Sequence, residues 1–227
     1  MDQLESVVND DLKPTDIDSY AKWMNNEEEA RLYSESQHAG SLGPGLTLSR
    51  KIDFSRVDHL LDIAGGTGGM AIRLCEQYPN LKITILDFPN VVKLGVKKIK
   101  EAGFSDRISF IGGNALDFNW PKETDAVLMS YLFNGVPGND IPELARQAFK
   151  VINPGGIYIV HDFMVEDDRS GPHLAALWQL QHLAFTPAAK SITPNWVSEV
   201  IKEAGFSEIK SDVLIPDMTK IVWGKKL

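Results

Sequence analysis

Apolar and polar positions along the chain fall into two regimes. The first is helical and irregular: Asp16 to Met24 and Glu27 to Ser36 read as helices. The stretch Ala39–Gly45 contains glycines and a proline and predicts a loop or tight bend, with a helix resuming over Leu46–Lys51. From His59 onward short apolar runs alternate with helical segments. Strands are predicted at His59–Ile63, Lys82–Asp87, Ile108–Ile111, Ala126–Met129 and Ile157–His161. Between them, helices are predicted at Met70–Gln77, at Val91–Ala102 up to Gly103, and at Ile141–Val151 up to Asn153–Gly156. This alternation predicts an α/β fold, a parallel sheet wrapped by helices through right-handed connections. A long apolar helix, Leu174–Phe185, and a helix Trp196–Ala204 follow. Strands at Glu208–Leu214 and Lys220–Gly224, joined by the turn signal Pro216–Asp217, predict a closing antiparallel hairpin.

Composition narrows the partners. A length of 227 residues suits one α/β domain, and a net charge of -8 opposes binding to a phosphate backbone. Nucleic acid is therefore not expected. The lysines between Lys93 and Lys100 recur at helical spacing and read as a solvated helix face. Cys75 is the single cysteine, so no internal disulfide can form, and its apolar helical context makes it core filler. No run approaches the roughly 20 apolar residues that span a bilayer. Residues Met1 to Asp16 are acidic and polar, unlike a targeting segment, so a cytoplasmic protein is expected.

The strongest chemical signal is Leu61–Gly69, a glycine-rich turn between the first strand and its helix. Glycines let the backbone turn sharply and approach a ligand, and the free N–H groups of the helix start face what is bound. Asp87, at the end of the second strand, can accept hydrogen bonds from both hydroxyls of a ribose. Gly66–Ala71 also matches the dinucleotide pattern, which keeps an NAD(P)-dependent reductase as an alternative. The chain lacks room for a separate substrate domain, which opposes that alternative.

Together these features resemble class I S-adenosylmethionine-dependent methyltransferases. More narrowly, they are similar to the catalytic domain of plant and bacterial small-molecule O-methyltransferases of the hydroxyindole and caffeate type. The matching residues are Asp62–Gly68, Leu86–Pro89 with Val91, Gly113–Ala115, Asn153–Gly156, Asp162–Phe163 and Ala204–Phe206. The resemblance implies a Rossmann-like, mostly parallel seven-stranded sheet with a C-terminal antiparallel hairpin. Residues 1–52 would form a helical lead-in contributing to the pocket, and residues 53–227 the catalytic domain. It implies S-adenosyl-L-methionine as cofactor, with Ala64, Gly65, Gly66 and Gly68 around the methionine portion and Asp87 on the ribose. Phe88 would flank the adenine, Asn114 and Ala115 would contact its edge, and Ser130 is counted with the cofactor-binding residues. Ser36–Ser41 would cap the methionine carboxylate, or else form a helix C-terminal turn. The family usually has an acid at the Asn114 position and glycine at Ala64. Its members also carry an N-terminal dimerisation domain of about a hundred residues. Too little sequence precedes the first strand for it, so the expectation is a truncated form or a protein that works without that lid, with a homodimer as one outcome.

One position departs in its chemistry. The general-base histidine of the family's O-methyltransferases falls on Asn134, and an amide is no general base near neutral pH. Three readings follow, and no metal is expected in any of them. Another residue, His38, His173 or His182, supplies the base. Alternatively, the acceptor is a thioether sulfur or an electron-rich carbon that needs none. Finally, the protein binds the cofactor without catalysis.

Overall fold

The computed structural model describes residues 19–183, 186 and 188–227. The predicted elements that reach into residues 16–18, 184 and 185 lie partly outside them. The chain opens with helix α1 (Ser19–Asn25) and helix α2 (Glu27–Lys51). Asn26 caps α2, its side-chain oxygen accepting from the N–H groups of Glu28 and Glu29 at 3.0 and 3.1 Å. Glu27, Glu28 and Glu29 in the first turn and Arg50 and Lys51 in the last suit the helix dipole.

The loop expected at Ala39–Gly45 does not exist: α2 runs through it, with Pro44 inside. The glycine at 45 serves packing. A Cβ added there would stand 2.8 Å from Cα of Met70, on helix α3 (Gly69–Gln77). Close contact with α3 retains the helix against the hydrogen bond that proline removes. By the same token, Ser36–Ser41 is mid-helix and not a C-terminal turn.

Strands β1 (His59–Ile63), β2 (Lys82–Asp87), β3 (Ile108–Gly112), β4 (Thr124–Ser130), β5 (Ile152–Asp162), β6 (Ser207–Ile215) and β7 (Thr219–Lys225) form one sheet. Their order is β3-β2-β1-β4-β5-β7-β6. All pairings are parallel except those of β7, which runs antiparallel to both β5 and β6. Helices α4 (Pro89–Ala102), α5 (Ile141–Val151), α6 (His173–Leu183) and α7 (Pro194–Glu203) complete the chain. The run Asn153–Gly156 stops α5 as expected but already belongs to β5. Gly155, at φ +83°, makes the local irregularity, and its N–H donates to the Lys226 carbonyl at 2.6 Å.

Alternation along the central strands builds two cores. Leu61, Ile63, Val127, Met129, Tyr158 and Val160 face one side, and Leu60, Ala126, Leu128 and Ile159 the other. Burial on both faces explains why these strands read as continuous apolar runs. Cys75 lies in the second core, and burial pushes its thiol up to about 11. The lysine-rich helix α4 buries Val91, Gly95 and Ile99 and exposes most of its lysines.

Helix α6 inverts the usual pattern. Leu174, Leu177 and Leu180 are exposed, whereas Gln179 and His182 are buried. Gln179 stays inside because its amide donates to the carbonyls of Phe163 and Ile192 at 2.7 and 3.1 Å and its oxygen accepts from Ser191 Oγ at 2.6 Å. Among the described residues no helix is long and apolar enough to cross a membrane.

Candidate functional site

The carboxyl ends of the parallel strands open onto a cavity of about 440 Å³. It lies where the strand order reverses between β1 and β4, the usual ligand crevice of an open α/β sheet. Its floor is the turn after β1. Ala64 has φ +57° and Gly66 φ +61°, so the residues on either side of Gly65 both lie in the left-handed region. Ala64 is held there by its N–H, which donates to the Leu86 carbonyl at 2.8 Å. An added Cβ at Gly65 would collide with the Asp62 carboxylate.

Two acids give the floor its character. Asp87 accepts from the Gly66 N–H through Oδ2 at 2.8 Å and from the Phe88 N–H through Oδ1 at 2.7 Å. Burial pushes its carboxyl up to about 6 against the pull of those two donors. Asp62, beside it in the cavity lining, is 1% exposed and its Oδ1 has no hydrogen-bond partner. Burial, with the charge of Asp87, pushes Asp62 up to about 8. A buried carboxylate without a partner is costly unless a cation meets it. The floor therefore fits a ligand with a cationic end near Asp62 and hydroxyl donors near Asp87.

The predicted cofactor residues gather here with one exception. Ala64, Gly65, Gly66, Asp87, Phe88, Asn114, Ala115 and Ser130 all line the cavity. Gly68 does not. It caps α3 at φ +86°, where an added Cβ would press on Ile99 at 2.9 Å, so packing and backbone geometry require that glycine. The Asn114 side chain closes its own loop, its oxygen accepting from the Leu116 N–H and its amide donating to Asp117 Oδ2, both at 3.1 Å. Ser130 Oγ lies 2.8 Å from His161 Nδ1, and His161 Nε2 lies 2.9 Å from Thr219 Oγ1. Burial lowers His161 to about 3, which keeps that ring neutral.

The candidate bases separate. His38 lines the cavity with Gln37 and Ser41, and its Nδ1 lies 2.8 Å from Thr67 Oγ1. Burial, then Lys98, holds it below the usual histidine range. His173 is exposed at the start of α6 and takes no part in the lining. Asn134, on the 3-10 turn Phe133–Gly135, is buried and bonded to Asp162 and Phe163, outside the lining. His182 is also outside it, 3% exposed, with Nε2 3.2 Å from the Tyr20 hydroxyl. Helix α6 contributes no lining residue; Thr186, beyond its end, does.

Several lining residues escaped the sequence reading. Tyr20, Met24 and Tyr33 come from α1 and α2, Tyr131, Leu132 and Val136 from the segment after β4, and Leu144 from α5. Tyr131 sits at φ +59°, its N–H donating to the His161 carbonyl at 2.8 Å and its ring 4.5 Å from that of His161. Asp62 carried a signal, an acid inside the apolar run of β1. The tyrosines carried none, because nothing in α1 or α2 distinguishes a residue that will meet the end of β4.

The profile of the O-methyltransferase domain family matches residues 14–207. A 3-hydroxy-5-methyl-1-naphthoate 3-O-methyltransferase from Streptomyces sahachiroi is 29% identical over 72% of this chain and 47% of its own length. An L-tyrosine C(3)-methyltransferase from Streptomyces lavendulae is 31% identical over 69% of this chain and 43% of its own. The chain thus spans about half the length of the curated relatives it matches. Among solved structures, human N-acetylserotonin methyltransferase in complex with SAM superposes with a TM-score of 0.82 at 22% identity, covering 92% of this chain and 59% of that one. At that identity the likeness speaks for the fold.

Proposed function

Because the chain belongs to the O-methyltransferase domain family, we propose that it binds S-adenosylmethionine in this cavity and methylates a small molecule there, with a hydroxyl as the acceptor typical of the family. The observation that carries the reading is the buried, unpartnered carboxylate of Asp62 beside Asp87. Adenosylmethionine has an ammonium to meet that acid, and its sulfonium makes the methyl group electrophilic. In this reading Ala64, Gly65 and Gly66 hold the amino-acid end, Asp87 takes the ribose hydroxyls, and Phe88, Asn114 and Ala115 bound the adenine. His38 and Ser41 stand ready for the carboxylate. Residues 1–52 would be the lead-in, of which 19–52 are described and supply Tyr20, Met24, Tyr33 and His38 to the pocket, and 53–227 the catalytic domain. The human neighbour solved with SAM supports the same cofactor. A cytoplasmic location suits the free, buried Cys75.

The reductase alternative meets two obstacles. A dinucleotide places its pyrophosphate at the helix start after the glycine turn. Here the start of α3 is covered by α2, since a Cβ on Gly69 would run into Ser41 and the His38 carbonyl. Asp62, held protonated by burial, also offers a diphosphate no positive partner on the cavity floor. A second reading within methyl transfer, a carbon or sulfur acceptor, has support in the tyrosine C-methylating relative and in the withdrawal of Asn134 from the cavity.

Calorimetry with adenosylmethionine and adenosylhomocysteine tests the cofactor, and the absence of heat with both rules it out. Mass spectrometry of phenols, electron-rich aromatics and thioethers incubated with protein and cofactor then identifies the acceptor class by the gain of one methyl group.

A further inference from the structure

A polar chain leads from the cavity wall into the interior. Tyr20 and Tyr33 line the cavity, their hydroxyls 3.3 Å apart. The Tyr20 hydroxyl is 3.2 Å from His182 Nε2, and the two rings stack at 6.0 Å with an interplanar angle of 18°. The other ring nitrogen, Nδ1, lies 3.0 Å from the Trp178 backbone carbonyl oxygen one turn earlier on α6. A carbonyl can only accept. In the neutral imidazole the proton therefore sits on Nδ1, and Nε2 carries the lone pair. Tyr20 then donates to Nε2, and Tyr33 donates to Tyr20. One backbone carbonyl sets the direction of the chain.

The charges around it suit a neutral histidine that accepts a proton on demand. Burial lowers His182, partly offset by the Trp178 carbonyl. Among the described residues, the ring is faced by Tyr20 from α1 and by the Trp178 ring 5.2 Å away on α6, and a Cβ on Gly135 of the 3-10 turn would stand 4.0 Å from it. Asp162 acts on both tyrosines through space, and burial is the larger cause of their raised pKa values. Tyr20 thus stays protonated and can pass a proton only by receiving one.

We propose that His182 is the base for a hydroxyl acceptor and that Tyr20 relays the proton to it. This rests on the methyltransferase reading above. The acceptor O–H bond breaks as its proton passes to the Tyr20 oxygen, while the proton of Tyr20 moves to His182 Nε2. The freed electron pair on the acceptor oxygen forms the bond to the methyl carbon, and the methyl–sulfur bond breaks with its pair left on sulfur. Tyr20 ends neutral. His182 ends as an imidazolium, its Nδ1–H still donating to Trp178, and later releases the proton to solvent. Positive charge leaves the sulfonium as it arrives on the imidazole. The asparagine at 134 is then no obstacle to O-methylation, because the base comes from another helix.

The test compares the unaltered protein with Tyr20→Phe and His182→Gln on a series of phenols of graded acidity. Both variants should lower kcat about 100-fold on weakly acidic phenols, a typical general-base contribution. They should do little on phenols already ionised at the assay pH, and should leave adenosylhomocysteine affinity unchanged. An equal loss across the series, or no loss, overturns the relay. Nitrogen-15 NMR of the unaltered protein supplies a readout without turnover: His182 should show the Nδ1–H tautomer, and the Nε2–H tautomer overturns the proposal. If adenosylhomocysteine binds but no phenol is methylated, the relay fails alone. If adenosylhomocysteine does not bind, the methyltransferase reading fails with it.

Discussion

The side-chain amide of Asn134 donates to Asp162 Oδ1 at 2.6 Å, and its backbone N–H donates to Oδ2 of the same carboxylate at 3.2 Å. Its second amide hydrogen goes to the Phe163 carbonyl at 3.1 Å. Position 134, where the resembling enzymes carry a base, is therefore a structural partner of a buried acid in this chain.

Asn134→Ala should destabilise the fold by about 1–3 kcal/mol, because it strips donors from a buried carboxylate. Urea denaturation measures it. Burial already pushes Asp162 up to about 6 against the Phe163 and Asn134 donors. A raised carboxyl holds its proton more tightly when folded, so its share of stability falls as pH rises from about 4, the unfolded value, through 6. In the variant that fall should extend to higher pH. An unaltered denaturation midpoint at neutral pH would contradict the assignment.

Asp87→Ala should weaken adenosylmethionine binding by about 1–3 kcal/mol through loss of charge-assisted hydrogen bonds. The Gly66 N–H loses its acceptor as well, so the glycine turn should loosen. Titration calorimetry reads the affinity; a value equal to that of the unaltered protein removes Asp87 from the ribose site.

Asp62 links ligand binding to pH. Its carboxyl stands at about 8 in the free protein and must ionise to meet an ammonium. Adenosylmethionine affinity should therefore rise up to about tenfold per pH unit below that value, with proton release on binding. The interval from about pH 6 to 7.5 is the informative one, since Asp87 titrates lower. Asp62→Asn should flatten the dependence and weaken binding. It should also make the ligand-free protein more stable than the unaltered one at pH 8 and above, where the buried acid ionises at a cost. Thermal melts across pH check the second outcome.

Adjacent positions of the glycine turn should respond with opposite signs. Ala64 has a left-handed backbone at φ +57°, which glycine adopts without strain. Ala64→Gly should stabilise by about 0.5–1 kcal/mol after the entropy that glycine adds to the unfolded chain. Gly65→Ala should destabilise and abolish cofactor binding, because its Cβ would displace the Asp62 carboxylate. Scanning calorimetry of the two variants decides both signs.

The sequence by itself determined what depends on short-range pattern. The order of strands and helices, the two-sided burial of β1 and β4, the glycine turn and the acid that ends β2 follow from periodicity and local backbone chemistry. Most of the residues expected to bind the cofactor line the cavity, because they sit near strand ends where topology leaves little choice. Tertiary structure alone decided the rest. Gly45 reads as a helix breaker until α3 packs against it. The helix from Leu174 reads as apolar, yet Leu174, Leu177 and Leu180 are exposed and Gln179 and His182 are inside, because neighbouring elements offer those two hydrogen-bond partners. Tyr20, Tyr33 and His182 share no local signal: Tyr20 and His182 are 162 positions apart, and the two tyrosines 13. Only the packing of α1 against α2 and α6 brings those hydroxyls and that imidazole within hydrogen-bond distance.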